Sequence, residues 1–330
     1  MAEYYSQRAS AGLIISEATA VSEIGYGWFG APGIYTNEQA QGWKLSVDAV
    51  HENGGKIFAQ LWHMGRQAHS SFNSRGKILS PSAILVTGKG TIRDKDQNEC
   101  AYEAPVAMTL DEIAETVEDY GKAASFAQQA GFDGVEIHGA NGYLIDTFLQ
   151  SSTNKRTDAY GGSVENRMRF LIDVIQRVKQ VYPADRIGVR LSPNGVFGGM
   201  GSHDNDVTFP TVAAALREFG LAYLHVMDGL NFGFHNLCKP VTLFDMKKGF
   251  QGPMMGNITY TKDTAEGAIR SGAADLIAFG RPFISNPDLV ERFRNKWPLE
   301  PDAPYAAWYG RSANPQECLE GYTTYKKHQL

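Results

Sequence analysis

The sequence is poor in cysteine and shows no pairing of the cysteines that it has. Cys100, Cys238 and Cys318 are far apart, odd in number, and without C-x-x-C spacing or nearby paired histidines. Isolated cysteines of this kind argue against a disulfide framework and against a zinc site. We therefore expect no bound metal and a reducing, cytoplasmic environment.

An excess of one charge is also lacking, as is a long hydrophobic run. Lys and Arg total 31 against 36 Asp and Glu, a net charge of −5, with no long block of either sign. This balance provides no basic stripe for nucleic acid, so no such partner is expected. No apolar run approaches the ~20 residues that span a bilayer, and residues 1–12 lack the apolar core of a secretory signal. We expect no membrane partner.

Core-forming residues, in contrast, are abundant. Of the 330 residues, 43% are hydrophobic and 20% are charged, which is typical of a globular protein with a large core. This length falls within the range of one α/β barrel, so we expect a single domain over 1–330. No residue pattern indicates the oligomeric state.

Short β-rich runs alternate with amphipathic segments along the chain. The strand candidates are Leu13–Ser16, Lys56–Leu61, Gly134–His138, Ile187–Ser192, Tyr223–Met227, Pro253–Gly256 and Leu276–Gly280. Helical spacing of apolar residues marks the stretches between them, including 111–130 and 168–178. This alternation predicts a parallel sheet. It suits both a barrel and a doubly wound sheet, but the repeated unit and the lack of G-x-G-x-x-G after a strand favour the barrel.

A long polar segment, 64–110, follows the second predicted strand and is rich in Gly, Ser and Lys. A long βα insertion at the top of a barrel usually forms part of an active-site wall or lid. A tolerated surface insertion is the alternative.

Reacting groups in such barrels lie at the carboxyl ends of strands, and one predicted end reads Gly134-Val-Glu-Ile-His138-Gly-Ala-Asn141-Gly-Tyr143. His138 and Asn141 can both donate N–H groups to one oxygen, as polarisation of a carbonyl requires. Because a phenol stays protonated at neutral pH, Tyr143 can serve as a general acid. The alternative interpretation is a hydrogen-bonded core histidine beside a turn.

Two further strand ends carry polar groups. The Gln60 carboxamide can pair with the donor and acceptor edge of a planar ring, and Trp62 can line a pocket or belong to the core. Arg190 is a charge within an apolar strand, and its burial requires an anionic partner. A carboxylate in the barrel and an anionic cofactor are both possible partners, and the carboxylate is slightly favoured.

The last two predicted strands lead into Gly256-Asn257-Ile258-Thr259 and Gly280-Arg281. Loops after strands seven and eight of such barrels often bind phosphate through backbone N–H groups. Arg281 would add positive charge there. Two plain turns with a surface arginine are the alternative.

These segments resemble the Old Yellow Enzyme family of FMN-dependent ene-reductases. The resemblance runs from about residue 1 to about residue 325. It rests on Ala11-Gly-Leu-Ile-Ile-Ser-Glu-Ala18-Thr19, Gln60-Leu-Trp-His-Met-Gly-Arg66, His138-Gly-Ala-Asn-Gly-Tyr143, Asn154-Lys-Arg-Thr-Asp-Ala-Tyr-Gly-Gly-Ser163, Val189-Arg-Leu-Ser-Pro193 and Ala278-Phe-Gly-Arg281. It implies a TIM (β/α)8-type barrel with non-covalent FMN.

The resemblance also assigns roles to individual residues. The flavin ring would be lined by Ala18, Gln60 and Arg190, and the phosphate would be held by Asn257, Thr259, Gly280 and Arg281. His138 and Asn141 would hold the substrate carbonyl oxygen, and Tyr143 would deliver the proton. The substrate pocket would be shaped by Trp28, Trp62 and Tyr309.

The implied reaction transfers hydride from NADPH to the flavin and then to the β-carbon of an α,β-unsaturated carbonyl compound. A reductase of nitro compounds or nitrate esters on the same scaffold is the alternative enzyme. No residue pattern separates NADPH from NADH, so NADPH rests on the resemblance alone.

The sequence departs from the family in two places. Family members have a strand and loop before the segment that opens this chain, so we expect an N-terminally incomplete barrel with seven recognisable strands. A reading frame that starts upstream, an inactive remnant, or a second chain covering the gap would each explain this, and the intact catalytic positions favour the first. Ile258 stands where relatives often have glycine.

Overall fold

The computed structural model describes residues 1–88, 90–230, 233–308 and 321–328, and its main element is a curled sheet of seven parallel strands. The strands are β1 (Ile14–Ala20), β2 (Ile57–Trp62), β3 (Gly134–Gly139), β4 (Ile187–Leu191), β5 (Tyr223–Met227), β6 (Met254–Asn257) and β7 (Leu276–Ala278). They pair in chain order from β1 to β7. Each of the predicted runs therefore forms a strand of one parallel sheet, as the alternating pattern predicted.

Two strand boundaries differ from the prediction by more than one residue. β1 continues to Ala20 and does not end at Ser16, because its pairing with β2 extends to Ala20 opposite Trp62. β7 ends at Ala278, before the predicted Gly280, because its pairing with β6 ends there. Partner strands, which the local sequence does not contain, set both limits.

Helices connect the strands and cover the outside of the sheet. They are α1 (Ala2–Ser6), α2 (Asn37–Glu52), α3 (Leu110–Ala130), α4 (Leu144–Leu149), α5 (Val164–Val178), α6 (Asn205–Leu216), α7 (Leu243–Phe250), α8 (Lys262–Arg270), α9 (Arg281–Ser285) and α10 (Leu289–Asn295). Short 3-10 helices occur at Gly65–Gln67, Ser70–Phe72, Ala184–Arg186, Arg217–Phe219 and Tyr305–Trp308. In the described parts of the chain, no helix combines the length and the apolar character that crossing a membrane requires.

α3 shows how local sequence sets the helix ends. The Thr109 hydroxyl accepts a hydrogen bond from the Glu112 N–H, and the Glu112 carboxylate accepts one from the Thr109 N–H. This capping box satisfies donors that the first helical turn leaves open. Gly131, with φ +90°, ends the helix in the left-handed conformation that favours glycine.

The amino-terminal half of the barrel interior is filled by aromatic side chains. The rings of Phe58 and Tyr223 stack with centroids 6.1 Å apart, and Met255 packs with them. Glycines on the intervening strands make room for both rings: a Cβ at Gly134 would lie 2.5 Å from the Phe58 ring, and one at Gly188 would lie 2.3 Å from the Tyr223 ring. This apolar floor leaves the carboxyl-terminal half for polar groups.

The segment 64–110 contains two of the 3-10 helices and two small sheets. The sheets pair Leu79–Ser80 with Val106–Ala107, and Ile92–Arg93 with Glu99–Cys100. The buried Arg66 guanidinium donates to the Gly198 carbonyl oxygen at 2.8 Å. This bond fastens the insertion to the loop that follows β4, on the carboxyl side of the sheet.

β1 and β7 are the edge strands of this sheet. Residues at the start of the chain, before β1, contact residues that follow β7. Arg8, in the turn after α1, donates to the carbonyl oxygens of Phe283 (2.7 Å) and Ile284 (2.8 Å) in α9, the helix that follows β7. The Tyr4 ring stacks on Tyr322 at 4.7 Å. Residues near the first strand thus contact those after the last one.

Candidate active site

The sheet brings four of the predicted residues to its carboxyl edge. Ala18 of β1 pairs with Gln60 of β2, and His138 of β3 pairs with Arg190 of β4. Paired residues of parallel strands project to the same face of a sheet. The strand register therefore places these side chains side by side.

His138 is buried and holds its ring in one tautomer. The Ala140 N–H donates to His138 Nδ1 at 3.3 Å, so the ring proton lies on Nε2. Burial, reinforced by the positive charge of Arg190, holds the pKa of His138 well below its usual range. At neutral pH the ring is consequently a neutral Nε2–H donor.

Asn141 follows in a left-handed backbone conformation, with φ +59°. The Gln67 Nε2 group donates to its carbonyl oxygen at 2.6 Å. Its side-chain amide makes no hydrogen bond to the described residues, which leaves the Nδ2 group available to a ligand.

Tyr143 lies against both His138 and Trp62. Its ring centroid is 5.1 Å from each of the two rings, with edge-to-face angles of 84° and 86°. Trp62 is itself buried and packs in a cluster that includes the half-buried Trp28 and Ala18. His138, Tyr143 and these two tryptophans thus form one continuous group, and Trp62 is a core residue as well as a neighbour of Tyr143.

The sequence reasoning missed a buried acid beneath this group. Glu136 is fully buried, accepts a hydrogen bond from Gln60 Nε2 at 2.6 Å, and lies 2.9 Å from His225 Nδ1. Burial alone would raise the pKa of Glu136, but His225 and Arg190, with the hydrogen bond from Gln60, lower it to about 2. The sequence did contain a signal for this buried acid: Glu136 lies two residues before His138, and therefore on the same face of an otherwise apolar strand.

Arg190 shows a different direct partner from the one favoured above. Its Nη2 group donates to Asn257 Oδ1 at 3.1 Å, so the contact is an amide and not a carboxylate. Glu136 contributes only through its charge, because its oxygens are already bound by Gln60 and His225. The sequence indicated a buried charge but not which of several inward polar groups would reach it.

The residues predicted to hold phosphate lie at the end of β6 (Asn257) and in the segments that follow β6 and β7. The N–H groups of Thr259 and Gly280 donate to no described residue, and the Arg281 guanidinium lies 4.3 Å from the centre of the Trp308 ring. Ile258 has φ +93°, a conformation that favours glycine. Glycine, which the family resemblance implies at this position, would adopt this φ at a lower cost. Tyr309 lies outside the described residues.

The hydrogen-bond donors and acceptors at this end of the sheet fit a planar cofactor that has an electron-rich edge and a phosphate group. Arg190 uses one of its five guanidinium N–H groups on a described residue. The N–H groups of Thr259 and Gly280 are available for phosphate oxygens. The Gln60 amide keeps its Oε1 as an acceptor, since its Nε2 is bound to Glu136. FMN has complementary groups for all of these.

Comparison with known proteins supports the same conclusion. Residues 1–300 match the model of the NADH:flavin oxidoreductase / NADH oxidase family. A protein of Leishmania infantum named "Probable flavin mononucleotide-dependent alkene reductase" is 41% identical over 299 residues, 88% of this chain and 80% of that protein.

Solved structures are similar over nearly the whole chain. An old yellow enzyme homologue from Zymomonas mobilis superposes with a TM-score of 0.91 at 45% identity, over 98% of this chain and 89% of that one. Morphinone reductase in complex with tetrahydroNAD superposes with a TM-score of 0.89 at 39% identity, over 99% of this chain and 88% of that one.

Proposed function

The chain belongs to the NADH:flavin oxidoreductase / NADH oxidase family, and we propose that it is an ene-reductase acting on α,β-unsaturated carbonyl compounds. The Old Yellow Enzyme resemblance and the barrel fold are confirmed by this membership. The protein is a flavin-dependent oxidoreductase that uses FMN and a nicotinamide hydride donor. NADPH as the preferred nicotinamide is part of the proposal, supported by the resemblance.

One observation carries the proposal: His138, with a neutral Nε2–H donor, packs against the Tyr143 ring, and the turn between these two residues contains Asn141, whose side-chain amide makes no hydrogen bond to the described residues. Two N–H donors on one carbonyl oxygen draw electron density from a conjugated alkene and stabilise the charge that develops on the oxygen. FMN, when bound, supplies the hydride. Tyr143 is the proposed donor of the proton to the carbon beside the carbonyl.

The cofactor contacts follow from the same arrangement. Ala18, Gln60 and Arg190 would line the flavin ring, with the positive charge of Arg190 at the edge where electron density accumulates. The phosphate would be held by Thr259, Gly280 and Arg281. Asn257 is a support for this loop and not a phosphate donor, because its N–H and Nδ2 groups already donate to Asp228 Oδ1 and to the Ala278 carbonyl oxygen. Trp28 and Trp62 would bound the substrate pocket.

The substrate class and the location of the protein complete the proposal. The name of the Leishmania infantum relative and that of morphinone reductase support an electron-poor alkene as the acceptor. The free thiols of Cys100 and Cys238 support a reducing, cytoplasmic location.

Anaerobic stopped-flow absorbance tests the proposal. Protein loaded with FMN should lose its yellow colour with NADPH and regain it with cyclohexenone. His138→Ala and Asn141→Ala should each slow the second step by ~10²–10³-fold, the usual effect of losing one such donor. Wild-type rates in both variants would refute the assigned roles. Faster reoxidation by a nitro compound or nitrate ester than by any enone would favour the alternative enzyme.

A further inference from the structure

Two successive residues at the candidate active site adopt left-handed backbone conformations. Asn141 has φ +59° and Gly142 has φ +73°. Asn tolerates this conformation better than other residues with a Cβ, and the hydrogen bonds around the turn decide whether it is adopted. Since the Asn141 amide makes no hydrogen bond to the described residues, the backbone conformation is what sets the direction in which this side chain leaves the main chain.

A single buried carboxylate oxygen fixes this turn. The Gly142 N–H donates to Asp146 Oδ2 at 2.8 Å. The Asn141 N–H donates to Ser192 Oγ at 2.8 Å, and the Ser192 hydroxyl donates in turn to Asp146 Oδ2 at 3.3 Å. Asp146 thus holds both left-handed residues, one directly and one through a serine of the neighbouring strand end.

The other carboxylate oxygen, Asp146 Oδ1, also accepts a hydrogen bond. Gln150 Nε2 donates to Asp146 Oδ1 at 2.9 Å, and Gln150 Oε1 accepts the Gly201 N–H at 2.8 Å. The Gly201 bond fixes which end of the Gln150 amide faces the carboxylate. Asp146 therefore meets hydrogen-bond donors at both oxygens, and an amide in its place would turn one N–H group toward another donor.

We propose that Asp146 is a positioning residue that holds the Asn141 amide in the orientation needed to bind the substrate carbonyl oxygen. The inference rests on the role given to Asn141 in the proposed function. Asp146 is fully buried and does not itself reach the substrate oxygen; it acts through the Gly142 N–H and Ser192. Burial raises its pKa to about 6, so the carboxylate is the main form at neutral pH.

The first test reverses the polarity of the network and then restores it. Asp146→Asn should raise the dissociation constant of a non-reducible ketone such as cyclohexanone, and lower kcat/KM for cyclohexenone, at least tenfold. The double variant Asp146→Asn with Gln150→Glu should recover most of both, because the carboxylate introduced by the second substitution accepts from the new amide and from the Gly201 N–H. The FMN dissociation constant should change less than twofold in either variant.

The second test is a double-mutant cycle with Asn141→Ala. If Asp146 acts through Asn141, Asp146→Asn should cost less than twofold in the Asn141→Ala background. Ser192→Ala, which leaves the carboxylate intact, should lose ketone affinity in the wild-type background and show the same dependence on Asn141. This variant also keeps the inference testable should Asp146→Asn fail to fold.

The outcomes separate the inference from the proposed function. Ketone affinity that is unchanged in Asp146→Asn and Ser192→Ala, or lost equally with and without Asn141, overturns the positioning role alone. A loss accompanied by release of FMN and not reversed by Gln150→Glu also overturns it. Full enone reduction by Asn141→Ala instead overturns the role of Asn141 in the proposed function.

Discussion

Gln60 donates from Nε2 to Glu136 Oε1 across 2.6 Å, joining two neighbouring strands at the level of the proposed flavin ring. The bond sets the orientation of the Gln60 amide, so that Oε1 is the atom left to face the cofactor. A buried carboxylate that touches no substrate thereby determines which functional group a cofactor-lining residue presents.

Glu136→Ala should destabilise the apoprotein and weaken FMN binding. Removing the carboxylate leaves Gln60 and His225 without their shared acceptor and Arg190 without a nearby negative charge. Breaking a buried charged network by deleting one partner typically costs ~3–5 kcal/mol. Urea unfolding of the apoprotein and titration of FMN fluorescence would measure the two effects. Unchanged values of both would show that the network does not operate as described.

The stability contribution of Glu136 should disappear in acid. Its pKa in the folded protein is about 2, below the usual 4.5, so the native state favours the charged form. The contribution is therefore complete above pH ~4.5 and is lost as the pH falls toward 2. The difference in unfolding free energy between wild type and Glu136→Gln should shrink over that range. A difference that stays constant from pH 7 to pH 3 would contradict this.

Tyr143→Phe should slow alkene reduction while leaving FMN reduction by NADPH largely unchanged. The phenol is the proposed proton donor in the alkene step only, and general acid catalysis is typically worth ~10²–10⁴-fold. The ring packing against His138 and Trp62 is retained in phenylalanine. Stopped-flow measurement of the two half-reactions separates the effects. Equal slowing of both would indicate that the tyrosine acts through pocket shape.

Ile258→Gly should stabilise the loop proposed to bind phosphate. The φ of +93° costs a β-branched residue ~1–2 kcal/mol in strain. Glycine removes this strain, but its greater chain entropy in the unfolded state offsets part of the gain. We expect tighter FMN binding or a gain of ~1 kcal/mol in unfolding free energy. Ile258→Ala is the matched control, since alanine shortens the side chain without favouring this φ. Equal gains in both variants would assign the effect to side-chain size.

Gly188→Ala should destabilise the barrel floor. Its Cβ would lie 2.3 Å from the Tyr223 ring, which is already stacked on Phe58. Overpacking of this kind costs ~1–3 kcal/mol. Gly267→Ala is the control, because that glycine lies in α8 with open space around it and alanine there should gain ~0.5–1 kcal/mol. Chemical denaturation of the two variants should give shifts of opposite sign.

Local sequence determined the strands, the main helices and the residues at the strand ends. Apolar runs of four to six residues and the helical spacing between them depend only on neighbours in the chain, so the alternation of parallel strands and helices was predictable. The motif from His138 to Tyr143 also contained its own donors and its own turn glycine. Family resemblance then connected those residues with FMN.

Tertiary structure alone decided which polar groups meet inside the barrel. Arg190 contacts Asn257, and Glu136 joins Gln60 to His225, because strand register and side-chain reach set these distances across the sheet. The support of Asn141 by Asp146 depends on Ser192, which lies at the end of a different strand. Such contacts join residues about 50 or more positions apart in the chain, and no local sequence pattern determines which of these residues the packing of neighbouring strands brings together.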